Sequence, residues 1–236
     1  MIPFSQILHD HAREIWEENH RHPFLAGLRD GTLPPDRFAY YMKQDYIYLI
    51  DYARIFAYGS IKAEDLETMG MFARLLEGTL NTEMELHRQY AARLGISREA
   101  LEQTRPAPAT MAYTRYLLDT AGSGSLAELT AVLLPCMWSY WEIGTAIAQH
   151  PGALSHPLYG EWVLMYSSEE FGELARWCIG LMDRLAEGLS EQERQLLQEH
   201  FNTASRYEYS FWEMAYQGDP GDSGSPEKRA QEEWQV

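Results

Sequence analysis

Apolar residues recur along most of this chain at alternating intervals of three and four positions, the spacing of one face of an α-helix. The period-two alternation typical of strands is weak, and β-branched residues are sparse. We therefore expect an all-α protein in which long amphipathic helices, joined by short loops, form an antiparallel bundle. The pattern predicts helices over approximately residues 4–19, 34–60, 64–94, 108–121, 126–149, 157–165, 169–188 and 191–217.

Polar residues mark the expected starts of several helices. Pro34 and Pro35 suit a first turn, because a proline there loses no helical hydrogen bond. No repeat or linker interrupts the pattern, which predicts one helical catalytic domain over residues 1–217 and a flexible polar tail over 218–236. Three serine–glutamate pairs have the S-x-x-E spacing of a capping box, namely Ser125 with Glu128, Ser167 with Glu170, and Ser190 with Glu193.

The composition narrows the class of protein. The 236 residues include 19 Lys and Arg and 35 Asp and Glu, which gives a formal net charge of −16. This negative charge argues against a nucleic-acid partner. The two cysteines, Cys136 and Cys178, are too few for a disulfide framework, and no C-x-x-C pair indicates structural zinc. Without a signal-peptide pattern or an apolar run of about 18 residues, we expect a cytoplasmic protein with no membrane partner.

One reactive side chain interrupts the apolar face of each of three helices. In the second, fifth and last predicted helices these residues are Asp45, Cys136 and Glu208. Burying a lone carboxylate is unfavourable unless it is paired, hydrogen-bonded or protonated, so Asp45 and Glu208 need a compensating partner or a wet cavity. The three apolar faces consist of Phe38, Tyr41, Asp45, Tyr48, Tyr52 and Ile55; of Leu126, Leu129, Leu133, Cys136, Tyr140, Ile143 and Ile147; and of Leu197, Phe201, Ala204, Glu208, Phe211 and Ala215.

Each of these residues also has a structural explanation. A single cysteine on an apolar helix face usually only packs, and an aromatic stripe is usually core. The buried acids could form ion pairs with Arg54, Arg115 or Arg206. Pro135 precedes Cys136 inside a predicted helix, where a kink would open space beside the thiol or would simply be tolerated.

The chain resembles the TenA / thiaminase II family in several segments that lie in order over about residues 4–217. Each segment is weakly specific, but their combination with a cysteine at the centre of the fifth helix is distinctive. The matching segments are His22-Pro23-Phe24 through Gly31-Thr32-Leu33-Pro34, 41–49, 83–87, 133–140 and 207–216.

The resemblance implies a fold like that of haem oxygenase, a homotetramer, and hydrolysis at the 5-methylene of a 4-amino-2-methylpyrimidine. The substrate would be thiamin or 4-amino-5-aminomethyl-2-methylpyrimidine, the product the 5-hydroxymethyl pyrimidine, and neither a metal nor another cofactor would be needed. By the same resemblance Cys136 is the nucleophile, Asp45 hydrogen-bonds the pyrimidine, and Glu208 is the acid/base. The residues expected to line the pocket are Tyr48, Tyr113, Tyr140, Tyr166 and Phe211.

Two alternatives remain open at this stage. Glu83 and His87 lie one helical turn apart and could be metal ligands of a di-iron oxidase, but no histidine occurs from Trp162 to Gln198 to complete a second set. A non-catalytic pyrimidine-binding or regulatory protein would keep the aromatic pocket, yet it would not need Cys136 beside two acids. The motif residues do not distinguish thiamin from the aminomethyl pyrimidine, because the two share the pyrimidine ring.

Overall fold

A computed structural model describes residues 2–219, and within that range the chain is helical and contains no strand. The predicted all-α class is confirmed. A π-helical segment, Thr79–Glu83, joins the fifth helix to the sixth, and a 3₁₀ turn covers Ala153–Ser155. The α-helices are α1 (Phe4–His11), α2 (Arg13–His20), α3 (Pro23–Asp30), α4 (Pro35–Lys62), α5 (Leu66–Gly78), α6 (Met84–Arg93), α7 (Arg98–Glu102), α8 (Pro108–Ser123), α9 (Leu126–Ala148), α10 (Gly160–Tyr166), α11 (Glu169–Leu185) and α12 (Glu191–Gln217).

The N-terminal part differs from the prediction of one helix over 4–19. Ala12, with φ −87° and ψ 1°, interrupts the helical geometry and separates α1 from α2. Sequence patterning also missed α3, which begins where the His22 side chain accepts a hydrogen bond from the Phe24 amide. That helix ends at Gly31, whose φ of 71° is the left-handed conformation that glycine adopts without strain.

Two of the three predicted capping boxes are confirmed, at Ser125–Glu128 and Ser190–Glu193. The third prediction, at Ser167, is wrong by one residue. Ser167 has helical backbone angles and ends α10, whereas the Ser168 hydroxyl accepts the hydrogen bond from the Phe171 amide that begins α11. A serine beside another serine gives the sequence pattern no means of choosing between them.

The centre of the molecule is built from α4, α9 and α12. Helix α9 is covered on several sides by α10, α11 and α12, while α4 packs against α5, α8 and α12. Pro135 lies inside α9, and the helix continues through it. The apolar stripes predicted for these helices therefore face one shared interior, in which Trp162 and Trp212 are fully buried.

A close approach of α9 to α10 fixes the position of Tyr166. A Cβ atom added to Gly144 would lie 2.6 Å from the backbone carbonyl carbon of Tyr166, a distance that real Cβ contacts do not reach. Glycine is thus required at this point for α10 to lie against α9.

None of the described helices is both long and apolar enough to cross a membrane. The predicted tail over 218–236 lies outside the described residues from position 220 onward. Gly218, which the prediction assigned to the tail, is buried, and its amide donates to the Met214 carbonyl at the end of α12.

Candidate active site

The interior between α4, α9 and α12 brings Asp45, Cys136 and Glu208 together. The two carboxylic acids are only 3% and 2% exposed, whereas the Cys136 side chain is partly accessible. The charge of Glu208 acts on the Cys136 thiol, and so does that of Asp45. Three residues on distant parts of the chain therefore form one cluster, and their catalytic roles stay predictions.

Asp45 is held by two hydrogen bonds from neighbouring side chains. The Tyr41 hydroxyl donates to Oδ2 at 2.9 Å, and Nε2 of His87 lies 2.7 Å from the same oxygen. Tyr41 in turn accepts from the Trp162 indole at 3.1 Å. The partner of Asp45 is thus a histidine, whereas Arg54, one of the arginines considered above, pairs with Asp51 at the surface.

His87 has both ring nitrogens engaged. Nδ1 lies 2.8 Å from the backbone carbonyl oxygen of Glu83, which only accepts, so this nitrogen carries a proton. Burial disfavours the charged imidazole, but the hydrogen bond to Asp45 and the charges of Asp45 and Glu83 outweigh it, and the pKa of His87 is raised. The geometry fits an imidazolium paired with the Asp45 carboxylate, and it leaves no ring nitrogen of His87 available to a metal.

Glu208 lies in an environment that favours its neutral form. Burial raises the pKa of this carboxyl group to about 8, although the hydrogen bond from Tyr113 opposes the shift. The Tyr113 hydroxyl donates to Oε1 at 2.6 Å, and its ring stacks on Tyr207 with centroids 5.2 Å apart. At neutral pH this group is mostly a protonated acid that ionises readily, which suits proton transfer.

The Cys136 thiol is neutral in the resting protein. Burial raises its pKa well above the usual value, and the nearby charge of Glu208 adds to the effect. The Tyr48 hydroxyl opposes part of that shift through its contact with the thiol. It is one of the few buried polar atoms of the described chain without a well-formed hydrogen bond, although it also lies close enough to the Tyr113 hydroxyl to act on it. It is therefore placed to donate to a ligand or to a thiolate.

The remaining predicted pocket residues form aromatic walls around this cluster. The Tyr140 hydroxyl lies 3.3 Å from that of Tyr41, and the Phe211 ring packs 5.6 Å from that of Tyr48. Tyr166 is also buried, but its hydroxyl donates to Oε1 of Glu83 at 2.8 Å and not to one of the three predicted catalytic residues. The walls thus present flat aromatic faces of the kind that stack on a heterocycle.

Glu83 is the site residue whose place the sequence did not reveal. It ends the π-helical segment, and burial raises the pKa of its carboxyl group to about 7. Short π-helical segments occur mostly at functional sites, but they leave no reliable trace in hydrophobic periodicity. The spacing of Glu83 and His87 did signal a shared face, although we interpreted it as a possible metal-ligand pair.

Comparison with known proteins agrees with this architecture. The sequence profile of the TENA/THI-4/PQQC family matches residues 9–218. A relative from Halalkalibacterium halodurans named aminopyrimidine aminohydrolase is 53% identical over 215 residues, covering 91% of this chain and 96% of that protein. A protein of the same name from Bacillus subtilis is 40% identical over 216 residues, covering 91% of this chain and 90% of its own.

Solved structures give the same result for the fold. A TenA homologue from P. horikoshii superimposes with a TM-score of 0.84 at 30% identity, over 92% of this chain and 100% of the other. A haem-oxygenase-like domain from Shewanella denitrificans has a TM-score of 0.71 at 15% identity, over 92% of this chain and 93% of its own, and this confirms the predicted fold type. With its sequence matched over almost its full length, the chain belongs to the TENA/THI-4/PQQC family.

Proposed function

We propose that this protein is a hydrolase acting at the 5-methylene of 4-amino-2-methylpyrimidines, releasing the 5-hydroxymethyl pyrimidine in thiamin salvage. The observation that carries the proposal is the meeting of a thiol, an acid with a pKa of about 8 and an Asp–His pair in one aromatic-walled interior. Relatives from two bacteria named aminopyrimidine aminohydrolase, at 53% and 40% identity, support it.

Asp45 is proposed to bind and activate the pyrimidine. Its carboxylate is fixed by Tyr41 and His87 through Oδ2, so Oδ1 is free of those bonds and able to meet a ring nitrogen and the 4-amino group. Because an ionised carboxylate only accepts, it would take hydrogen bonds from the 4-amino group and from a ring nitrogen that carries a proton. It would thereby stabilise the protonated ring, which is more electron-poor and more open to a nucleophile. The rings of Tyr48 and Phe211 would hold the heterocycle by stacking.

Cys136 and Glu208 are proposed to share one proton through the reaction. The ionised form of Glu208 takes the proton of the thiol, and the thiolate adds to an electron-poor carbon of the ring. The electrons of the adduct then form the exocyclic carbon–carbon double bond, and the bond between the methylene carbon and nitrogen breaks with its electron pair going to the nitrogen. The neutral Glu208 supplies the proton that the leaving amine needs.

Water completes the cycle. Glu208, again a carboxylate, takes a proton from water as the oxygen bonds to the exocyclic methylene. The ring expels the Cys136 thiolate, which recovers its proton from Glu208, and aromaticity returns. With the aminomethyl pyrimidine, one water is consumed and the hydroxymethyl pyrimidine and ammonia are released. With thiamin, the thiazolium leaves as a neutral thiazole that takes no proton, so Glu208 releases the proton of the thiol to solvent, and the products are the hydroxymethyl pyrimidine, the thiazole and one proton. Tyr48 would stabilise the thiolate, since its hydroxyl has no well-formed hydrogen bond and already contacts the sulfur.

The wider setting belongs to the same proposal. We infer that residues 1–217 form the catalytic domain, that four copies assemble, and that the enzyme works in the cytoplasm without a metal or other cofactor. Light scattering of the purified protein tests the assembly, with a mass four times that of the 27.2 kDa chain as the expected result.

A turnover assay tests the activity. Purified protein is incubated separately with 4-amino-5-aminomethyl-2-methylpyrimidine and with thiamin, and the hydroxymethyl pyrimidine is measured by chromatography. Turnover of either substrate supports the proposal and identifies the preferred leaving group. Binding of the hydroxymethyl pyrimidine without turnover of either substrate would favour a non-catalytic binding protein, and iron bound stoichiometrically would favour the di-iron alternative.

A further inference from the structure

A second space lies beside the candidate active site. It is a cavity of about 110 Å³ between α4, the α5–π-helical segment, α9, α10 and α11. Its walls are largely apolar, and Glu83 contributes a carboxyl group to them. The lining residues that matter here are Phe56, Thr79, Glu83, Met137, Glu170 and Phe171.

Glu83 has one oxygen available on this cavity. Oε1 accepts the hydrogen bond from Tyr166 at 2.8 Å, whereas Oε2 has only a long contact of 3.5 Å with the Thr79 hydroxyl. Its side chain is partly accessible, and it lines this cavity.

The cavity adjoins the predicted nucleophile. Met137, the residue after Cys136, lines it, and the charge of Glu83 acts on the Cys136 thiol. Tyr166 lies between the two spaces, because its ring packs edge-on against Tyr140 of the site at 4.8 Å and against Phe171 of the cavity at 5.1 Å. The cavity and the candidate site are therefore neighbours, with the Tyr166 ring between them.

We propose that the cavity receives the leaving group and that Glu83 selects substrates whose leaving group is a primary amine. This proposal rests on the function proposed above and adds no bond-making step to it. The amine N–H donates to Oε2 of Glu83, which holds the nitrogen beside the methylene while the carbon–nitrogen bond breaks.

The selectivity follows from the hydrogen-bonding capacity of the two leaving groups. A primary amine or its ammonium form has N–H donors, and a bond to a carboxylate is among the stronger hydrogen bonds in proteins. The thiazolium nitrogen of thiamin is fully substituted and has no proton, so Glu83 offers it charge attraction alone. Sites that hydrogen-bond a substrate group discriminate strongly against analogues that lack it.

The test is the ratio of kcat/KM for the aminomethyl pyrimidine to kcat/KM for thiamin. Glu83→Gln keeps the size of the side chain but replaces the carboxylate, and we expect the ratio to fall about tenfold or more. Glu173→Gln removes an exposed carboxyl group of α11 that does not line the cavity and serves as the matched control, with the ratio unchanged within about threefold. An equal loss for both substrates in Glu83→Gln, or no loss, would overturn the proposal.

A binding measurement separates this proposal from a failure of the enzyme or of its fold. In a Cys136→Ser background, Glu83→Gln is expected to weaken binding of the aminomethyl pyrimidine about tenfold. Binding of 4-amino-2,5-dimethylpyrimidine, which has no hydrogen-bond donor on its 5-substituent, should stay within about threefold. Equal weakening of both ligands would contradict a role in leaving-group recognition. If Glu83→Gln does not fold, Glu83→Asp withdraws the carboxylate by one methylene, and an unchanged substrate ratio in that variant would be decisive against the proposal. Wild-type protein that turns over neither substrate would instead refute the proposed function.

Discussion

At the scale of single residues, burial accounts for most of the chemistry. The same low-dielectric interior that keeps the Cys136 thiol protonated raises the pKa of Glu208 to about 8, so each group is poorly ionised when isolated. In the proposed mechanism the two groups compensate each other, because Glu208 in its ionised form would accept the proton that the thiol must lose. Tyr48, whose hydroxyl has no well-formed hydrogen bond, would then donate one to the thiolate.

Replacing Cys136 by serine is expected to lower kcat by about a thousandfold or more, because a hydroxyl is a far weaker nucleophile at an electron-poor ring carbon. Binding of the hydroxymethyl pyrimidine, measured by calorimetry, should stay within about threefold. Cys178→Ser is the matched control, since that thiol is 1% exposed in α11, has no part in the site, and should cost only stability. Near-normal turnover by Cys136→Ser would remove it as the nucleophile.

The raised pKa of Glu208 predicts that kcat/KM increases with pH. Below its pKa of about 8 the group is mostly protonated and cannot accept the thiol proton, so kcat/KM of the wild type should rise with pH, reach half its maximum near pH 8 and level off above it. Glu208→Gln should lose about a hundredfold or more in kcat and should no longer show this rising limb. A change in KM alone, measured by steady-state kinetics across pH 5–9, would contradict the proton-transfer role.

At the scale of helices, the sequence pattern singled out the candidate residues that lie on regular α-helices. Asp45, Cys136 and Glu208 each interrupt an apolar stripe of a regular helix, so period and polarity alone were enough to single them out. The sequence pattern did not show that His87 pairs with Asp45 or that Glu83 lies beside the site. The reason is that the π-helical segment changes the rotation of the helix just before α6. No periodic pattern carries that information, and the pairing of His87 with Asp45 depends on how α6 meets α4.

The crossing of α9 and α10 gives a prediction at this scale. Gly144→Ala places a Cβ atom within 2.6 Å of the Tyr166 backbone, so α10 must shift and carry the Tyr166 hydroxyl away from Glu83. We expect a loss of about 1–3 kcal/mol in the free energy of unfolding and a lower kcat. Chemical denaturation and turnover are measured together.

Gly70→Ala is the control for that substitution. Gly70 lies inside α5, and nothing approaches within 4 Å of the added Cβ atom. Alanine in an exposed helix interior is expected to stabilise the protein by about 0.5–1 kcal/mol and to leave turnover unchanged. Equal stability effects of the two alanine variants would mean that the α9–α10 contact adapts freely.

At the scale of the whole molecule, every predicted site residue lies within the described helices. The predicted site residues lie between positions 45 and 211 of the sequence, and Gly218 is buried at the end of α12. A truncation should therefore keep Gly218 and Asp219 and remove residues 220–236. We expect kcat and the melting temperature to be unchanged, and a large fall in kcat in a turnover assay would show that the removed segment takes part in the site.

The buried acids also make the stability of the whole fold depend on pH. Burial raises the pKa of Glu208 from 4.5 to about 8 and that of Glu83 to about 7, so the native state retains these protons at pH values where the unfolded chain has released them. Stability from these two groups is therefore fully present below about pH 4.5 and is lost as the pH rises through 7 and 8. The interior that tunes the acids for catalysis must weaken the fold at alkaline pH.

Glu208→Gln tests that consequence directly, because glutamine has no proton to release. The melting temperature of Glu208→Gln minus that of the wild type should be larger at pH 9 than at pH 5. The difference develops at pH values up to about 8, where the unfolded wild-type chain has released the proton that native Glu208 retains. Glu199→Gln, an exposed position of the same helix, controls for the loss of one negative charge and should show a much smaller change. A melting-temperature difference between Glu208→Gln and wild type that stays constant from pH 5 to pH 9 would mean that folding does not raise the pKa of Glu208, and the assignment of its proton to catalysis would lose its basis.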